Sequence, residues 1–183
     1  MDREPERSTD VTATTATLPG TATRALDFDA LYRDARDDVF AYAATLLRDS
    51  AAAEDVTALA FERAYRRRSR FDASRGTPRA WLFGIARNAA LDELRSRKRA
   101  ATAELPEPSS DPGPDEAAEL AAERVAVRAA LATLAARDRE VIALKFHADL
   151  SNAEIADVIG VSVSNAGTLL NRAMNKLREA VDA

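Results

Sequence analysis

The sequence predicts an all-α protein: two small helical domains joined by a flexible Pro-rich linker, the second containing a helix-turn-helix. Three observations point to it. Ala, Leu, Arg and Glu are abundant, while the 183 residues hold six glycines and few alternating apolar–polar runs, a balance that favours helix over strand. Apolar residues recur at three- and four-residue spacing along most of the chain. Residues 101–114, ATAELPEPSSDPGP, contain four prolines and acidic residues and offer neither helix nor core, so they separate the apolar stripes into two groups.

The elements follow in order. Residues 1–25 have few large apolar side chains and no period, and are expected to be a disordered tail. A first helix begins at Asp27, with Phe28, Leu31, Tyr32, Ala35, Val39, Tyr42, Ala43 and Leu46 on one face. Asp49 and Ser50 interrupt it, and Ser50 is the expected cap of a second helix over about 51–68, with Ala53, Val56, Ala60, Phe61 and Ala64 inward. Thr77 and Pro78 open a third, Thr as cap and Pro at the first helical position. Its apolar residues are Trp81, Leu82, Ile85, Ala86, Ala89 and Leu94, and residues 26–100 form the first domain.

Beyond the linker, residues 115–183 form the second. Asp115 to Leu134 is amphipathic through Leu120, Val127, Leu131 and Leu134, and Asp138 to Phe146 follows. Ser151 and Glu154 have capping-box spacing. Ile155, Ala156, Ile159, Gly160 and Val161, then Ala166 and Leu169, give the pattern of a helix-turn-helix: a small residue where helices cross, a glycine at the corner, and apolar glue on both sides. Ser162 caps the expected reading helix, which runs to about Val181.

Charge and composition narrow the function. The net charge of −4 conceals a block, residues 61–100, with twelve basic and four acidic side chains. The flanking stretches are acidic, so a polyanion meets one cationic region. Arg63, Arg66, Arg67, Arg68, Arg70, Arg75, Arg79, Arg87, Arg95, Arg97, Lys98 and Arg99 supply phosphate contacts. Phe71, Trp81, Phe83 and Asn88 are the stacking or base-contacting groups among them; Trp81 fits core packing better, whereas Phe83 lies off the main stripe. In the reading helix Ser162, Ser164, Asn165, Thr168 and Asn171 are placed to meet base edges, and Arg172 and Lys176 to hold phosphate. Gly167 weakens this helix by about 1 kcal/mol relative to alanine.

Catalysis finds no support. The one histidine, His147, has no Ser/Asp grouping or HExxH around it, and adjacent carboxylates such as Glu54-Asp55 point apart on a helix, so no metal is expected. With no cysteine there is no thiol nucleophile or Cys-based zinc site, which fits a reducing cytoplasm. No membrane insertion and no cofactor are expected. From residues alone, a stand-alone helix-turn-helix regulator and a purely protein-binding helical module stay open beside a multi-site DNA-binding factor.

Two blocks narrow the choice. AEDVTALAFERAYRRRSRFDASRGTPRAWLFGIARNAALDELRSRKR ends at Arg99, and LATLAARDREVIALKFHADLSNAEIADVIGVSVSNAGTLLNRAMNKLRE runs from Leu131 to Glu179. Both resemble the extracytoplasmic-function sigma factors, the small two-domain branch of the sigma-70 family. The resemblance implies a transcription initiation factor that binds core RNA polymerase at its clamp and flap and contacts promoter DNA, under control of an anti-sigma factor. It implies that Asp55, Val56, Ala58, Leu59 and Phe61 lie in the clamp-binding helix. It further implies that the loop through Asp72, Arg75, Gly76 and Thr77, with Arg79, takes the minus-ten element, and that Arg87, Asn88, Asp92 and Arg95 contact that element from the helix. The second domain would read the minus-thirty-five element through Ser162, Ser164, Asn165, Thr168, Asn171, Arg172 and Lys176. Two departures stand out: Ala58 and Leu59 occupy positions where the family has Gln-Glu, and Gly167 and Leu169 lie where cations are common. The linker's fourteen residues, extended, reach about 46 Å at ~3.3 Å each, so with the domain widths they span the roughly 70 Å of two duplex turns.

Overall fold

The structure, a computed structural model, describes residues 26–100 and 118–182, with side chains from 124 onward in the second stretch. The expected tail, the linker, residues 115–117 and the side chain of Leu120 lie outside the described residues. Those described form seven α-helices and no strand, in agreement with the all-α expectation.

The first unit comprises α1 (Phe28–Leu47), α2 (Ser50–Arg67), a single 3-10 turn (Arg68–Arg70) and α3 (Pro78–Ala100). Asp27 caps α1 by accepting the Ala30 N–H at 3.0 Å, and Arg48 ends it in the left-handed region at φ 57°. The expected cap of α2 is corrected by one residue. Asp49, not Ser50, is extended and accepts the Ala52 N–H, and Ser50 is the first helical residue. A carboxylate suits this position because it also receives Arg97 from the end of α3 at 2.9 Å. The Ala52 amide, with further help from Arg97, holds Asp49 below the ordinary carboxylate range. Thr77 caps α3 as expected, its Oγ1 accepting the Ala80 N–H at 3.1 Å, with Pro78 at the first helical position.

α3 lies against both α1 and α2, so its buried arc is wider than one stripe: Ala80, Leu82, Phe83, Ile85, Ala86, Ala89 and Ala90 are all inside. This corrects the reading of Phe83. It is fully buried and meets Tyr42 edge-to-face at 5.6 Å, so it is core and not a stacking platform. Trp81 is half-buried and packs against Phe71 at 5.5 Å. The many alanines let the three helices approach closely, and a few aromatic side chains fill what remains.

The second unit is α4 (Ala118–Thr133), α5 (Ala136–Phe146), α6 (Asn152–Ile159) and α7 (Val163–Val181). Its core is aliphatic: Val141, Leu144, Leu150, Ile155, Ala156 and Ile159, with Ala166 and Ala173 from α7. α5 starts two residues earlier than expected. Val127, expected to face inward, is 41 % exposed, because α4 packs mainly on α7 and buries Ala130 near its end, with Leu134 buried just beyond it. The capping box is complete: Ser151 Oγ accepts the Glu154 N–H at 3.3 Å and the Glu154 carboxylate accepts the Ser151 N–H at 2.9 Å. Gly160 ends α6 at φ 71°, a conformation that favours glycine, and Ser162 caps α7. The two units touch, α5 lying along α1 and α6 along α3.

Candidate nucleic-acid interface

Three surfaces hold the residues singled out from the sequence. The first is a groove of about 320 Å³ between α2 and α3, lined among others by Asp55, Val56, Leu59, Asp92 and Glu93. Asp55 and Ala58 are exposed, whereas Val56 and Phe61 are buried. Phe61 meets the Tyr32 ring at 4.8 Å and Phe28 at 6.3 Å, so it fixes the helix from within. The groove also brings Asp92, assigned from sequence to another partner, beside Asp55.

The second surface is the loop before α3 and the face of α3 itself. Asp72 folds the loop back by accepting the Ser74 N–H and hydroxyl at 2.9 and 2.7 Å, and these bonds keep its carboxyl below the ordinary range. Arg75 and Gly76 are exposed at the tip, with Gly76 at φ 150°. Asn88, Asp92 and Arg95 line one outward stripe of α3, one helical turn apart. Asp92 receives Arg63 at 3.3 Å and Arg95 at 3.2 Å.

Thr77, Arg79 and Arg87 are placed differently, for all three reach the second unit. Thr77 Oγ1 donates to Glu154 Oε1 at 2.6 Å. That bond, ahead of those from Ser151, holds Glu154 below the ordinary carboxylate range. Arg79 donates to the carbonyls of Ala148 and His147 and to Asp38 of its own unit. Arg87 Nε donates to Glu140 Oε1 at 2.6 Å, where Arg87 is 17 % and Glu140 6 % exposed; Arg137 holds the second Glu140 oxygen at 3.1 Å. An ion pair so far removed from water depends on both members, because deleting one leaves a buried charge. The Tyr42 hydroxyl lies close by, buried without a partner, and burial followed by the Glu140 charge drives its pKa far above the ordinary value.

His147 completes this junction. The Thr45 hydroxyl lies 2.9 Å from Ala41 O and shares a hydrogen bond with His147 Nε2 at 3.1 Å. Burial lowers the His147 pKa, opposed in part by Asp38. The junction contacts of Glu140, His147, Ala148 and Glu154 escape sequence reading because their partners lie 53 to 102 residues away, beyond any local period.

The third surface is α7. Ser162, Ser164, Asn165, Thr168, Asn171 and Arg172 are all exposed, together with Val163. Lys176 is turned aside to the buried Asp138 of α5. Ala166 and Ala173 set the opposite face into the core.

A cationic helical unit beside a helix-turn-helix whose reading helix stands clear defines a two-site nucleic-acid-binding protein. Comparison with known proteins agrees and is more specific. Residues 31–100 match the model of Sigma-70 region 2, and residues 124–177 that of Sigma-70, region 4. The chain is 32 % identical over 152 residues to the ECF RNA polymerase sigma factor SigL of Mycobacterium tuberculosis, covering 81 % of this chain and 85 % of SigL. It is 30 % identical to the ECF RNA polymerase sigma factor RpoE of Cereibacter sphaeroides, over 69 % of this chain and 68 % of that one. Among solved structures, the sigma factor RpoE in complex with the anti-sigma factor NepR, from Bartonella quintana, shares the fold with a TM-score of 0.73. At 24 % identity it covers 86 % of this chain and 98 % of its own. CnrH, solved with the cytosolic domain of CnrY, gives a TM-score of 0.63 at 27 % identity, covering 85 % of this chain and 87 % of CnrH. The chain therefore belongs to the extracytoplasmic-function sigma factors, transcription initiation factors of the sigma-70 family. No helix among the described residues is long and apolar enough to cross a membrane.

Proposed function

We propose that the chain recruits core RNA polymerase to promoters through its first unit and reads promoter DNA with both, performing no bond chemistry itself. The observation that supports this best is the pairing, in one chain, of the cationic α2–α3 unit with a helix-turn-helix whose polar face is exposed. The domain limits are those read from the sequence, 26–100 and 115–183. The groove at Asp55, Val56 and Leu59, with Ala58 at its rim and Phe61 as internal support, takes the polymerase clamp. The loop Asp72–Thr77 with Arg79, and the α3 residues Arg87, Asn88, Asp92 and Arg95, take the minus-ten element. Extruding a base from the duplex costs a few kcal/mol, which contacts at this loop and with polymerase offset. The α7 residues Ser162, Ser164, Asn165, Thr168, Asn171 and Arg172 read the minus-thirty-five element. Lys176 joins them only by leaving Asp138. Two weak sites on one enzyme act jointly through effective concentration. An anti-sigma factor is the expected regulator, since two related folds are solved with such partners or a cytosolic fragment bound.

Co-purification with core RNA polymerase, then run-off transcription on genomic fragments, tests this reading. Stable association and new start sites are expected. No association, even after Ala58→Gln with Leu59→Glu, would sink it and favour a stand-alone DNA-binding regulator.

A further inference from the structure

We propose that Val163 and Gly167 on α7 form a notch that takes the 5-methyl group of a thymine, making Val163 a residue that selects one base read by the second unit. The inference rests on the functional reading above, in which α7 enters the major groove, and adds to it the identity of that base.

Val163 is 54 % exposed and opens the first turn of α7. One exposed valine needs no explanation on an ordinary surface. This one stands among the exposed Ser162, Ser164 and Asn165, at the end of a reading helix that comes nearest the bases. Its β-branched side chain holds few rotamers in a helix, so its methyl groups present a fixed apolar wall. Gly167 and Asn171 follow at four-residue intervals and share its side of the helix. Gly167 brings no side chain, and nothing in the fold demands that. Its φ is not positive, and an added Cβ would meet only the Asn152 amide nitrogen at 3.6 Å, an ordinary contact. The gap therefore opens outward, with an apolar wall at Val163 and carboxamides at Asn152 and Asn171. Helix backbone bared in this way lets a base edge approach closely.

The surrounding chemistry selects the base. From Val161 to Asn171 no side chain is charged. Arg172 comes next, roughly 13 Å along the axis from Val163 by the rise of an α-helix. Guanine is read chiefly by Arg or Lys at O6 and N7, so this end of α7 lacks the usual guanine reader. Thymine is marked in the major groove by its methyl group, which apolar contact matches. Two neighbouring hydroxyls are engaged within the helix: Ser162 Oγ accepts the Asn165 N–H at 3.2 Å, and Thr168 Oγ1 donates to Ser164 O at 3.0 Å. These bonds weaken both as base readers and leave selection here to Val163 and to the carboxamides, which suit adenine.

Selection from a randomised duplex by the full chain bound to core polymerase identifies the element. Each of its thymines is then replaced by deoxyuridine, which removes only the methyl group. At one thymine the wild-type chain should lose about fourfold in affinity, the worth of one buried methyl. At the same position 5-methylcytosine should bind more tightly than cytosine. Val163→Ser should bind the thymine and deoxyuridine duplexes alike there, while responding as wild type to changes elsewhere in the element. Val163 is exposed, so this variant should fold as the wild type does. Gly167→Ala should fill the notch, weakening the thymine duplex more than the deoxyuridine one although the protein melts no lower. An element in which no thymine shows a Val163-dependent effect of deoxyuridine overturns the notch and leaves the functional reading standing. Unchanged thymine preference in Gly167→Ala overturns the part given to the glycine. Failure to select any duplex, with polymerase or without, overturns both the notch and the functional reading.

Discussion

The two units solve the same problem, exposing polar chemistry on a packed helix pair, with opposite materials. The first is built from alanine-rich helices around Tyr42, Phe83 and Phe61, and carries the cationic stretch. The second has an aliphatic core and near-neutral surface, with polarity concentrated on one short reading face. Aromatic filling lets α3 be buried on several sides and still present Asn88, Asp92 and Arg95 outward. In the second unit α5 is buried on several sides in the same way, through Val141, Ile142, Ala143 and Leu144, while α7 keeps Ser162, Ser164, Asn165, Thr168, Asn171 and Arg172 outward. Part of the charged first unit, at Thr77, Arg79 and Arg87, is thus covered by the second, whereas the weakly charged polar face of α7 is exposed.

The contrast is tested most severely through the core. Phe83→Ala should destabilise the first unit by about 3–5 kcal/mol, since a fully buried aromatic leaves a cavity that alanine-lined helices cannot close. Chemical denaturation followed by circular dichroism measures it; a loss under about 1 kcal/mol would return Phe83 to the surface role read from sequence. Next in size, Ser151→Ala should cost about 1 kcal/mol by removing one half of the capping box, acting on the second unit alone. Hydrogen exchange at the start of α6 would detect the change, and unaltered exchange there would show that the capping box does not hold that helix start.

Glycine probes the two units in the other direction. Gly84 and Gly167 lie within helices, and an added Cβ meets nothing within 4 Å at Gly84 and only the Asn152 amide at 3.6 Å at Gly167. Gly84→Ala and Gly167→Ala should each raise stability by about 0.5–1 kcal/mol. A lower melting temperature in either would show that the open space is used. The smallest expected effect is a pH step at the junction. His147 is half-buried between the units with its pKa lowered by that burial, so the docked arrangement prefers neutral imidazole. Protons then bind more readily when His147 is released, and docking weakens as pH falls below the ordinary histidine value of about 6.5. The facing groups are Asp38, Arg79 and Thr45. Energy transfer between the units should fall from pH 7.5 to 5.5 (values about one unit either side of that pKa), and His147→Gln should flatten the step. A step that persists in that variant would assign it elsewhere.

Much of the fold is legible in the sequence because it is local. The capping box at Ser151 and Glu154, the corner at Gly160 and the Thr77-Pro78 start each depend on residues within a turn, and each stands where expected. The family blocks are equally readable. Periodicity misplaces Phe83 because it assumes one buried stripe, while α3 has two helical neighbours from its own unit and a third from the other. Val127 is misplaced for the opposite reason: α4 has too few neighbours to cover its stripe. Asp49 displaces Ser50 as cap because Arg97, 48 positions on, favours a carboxylate there. The pairing of Arg87 with Glu140 leaves no sequence signal at all, since charge counts add the two and cannot show that they meet.

Glu154 carries a last consequence. One of its oxygens belongs to Ser151 and the start of α6; the other belongs to Thr77 across the junction. The two duties fall on different atoms, so releasing the neighbour leaves the helix start intact. Breaking the Thr77 contact alone would therefore leave the capping box at the start of α6 complete.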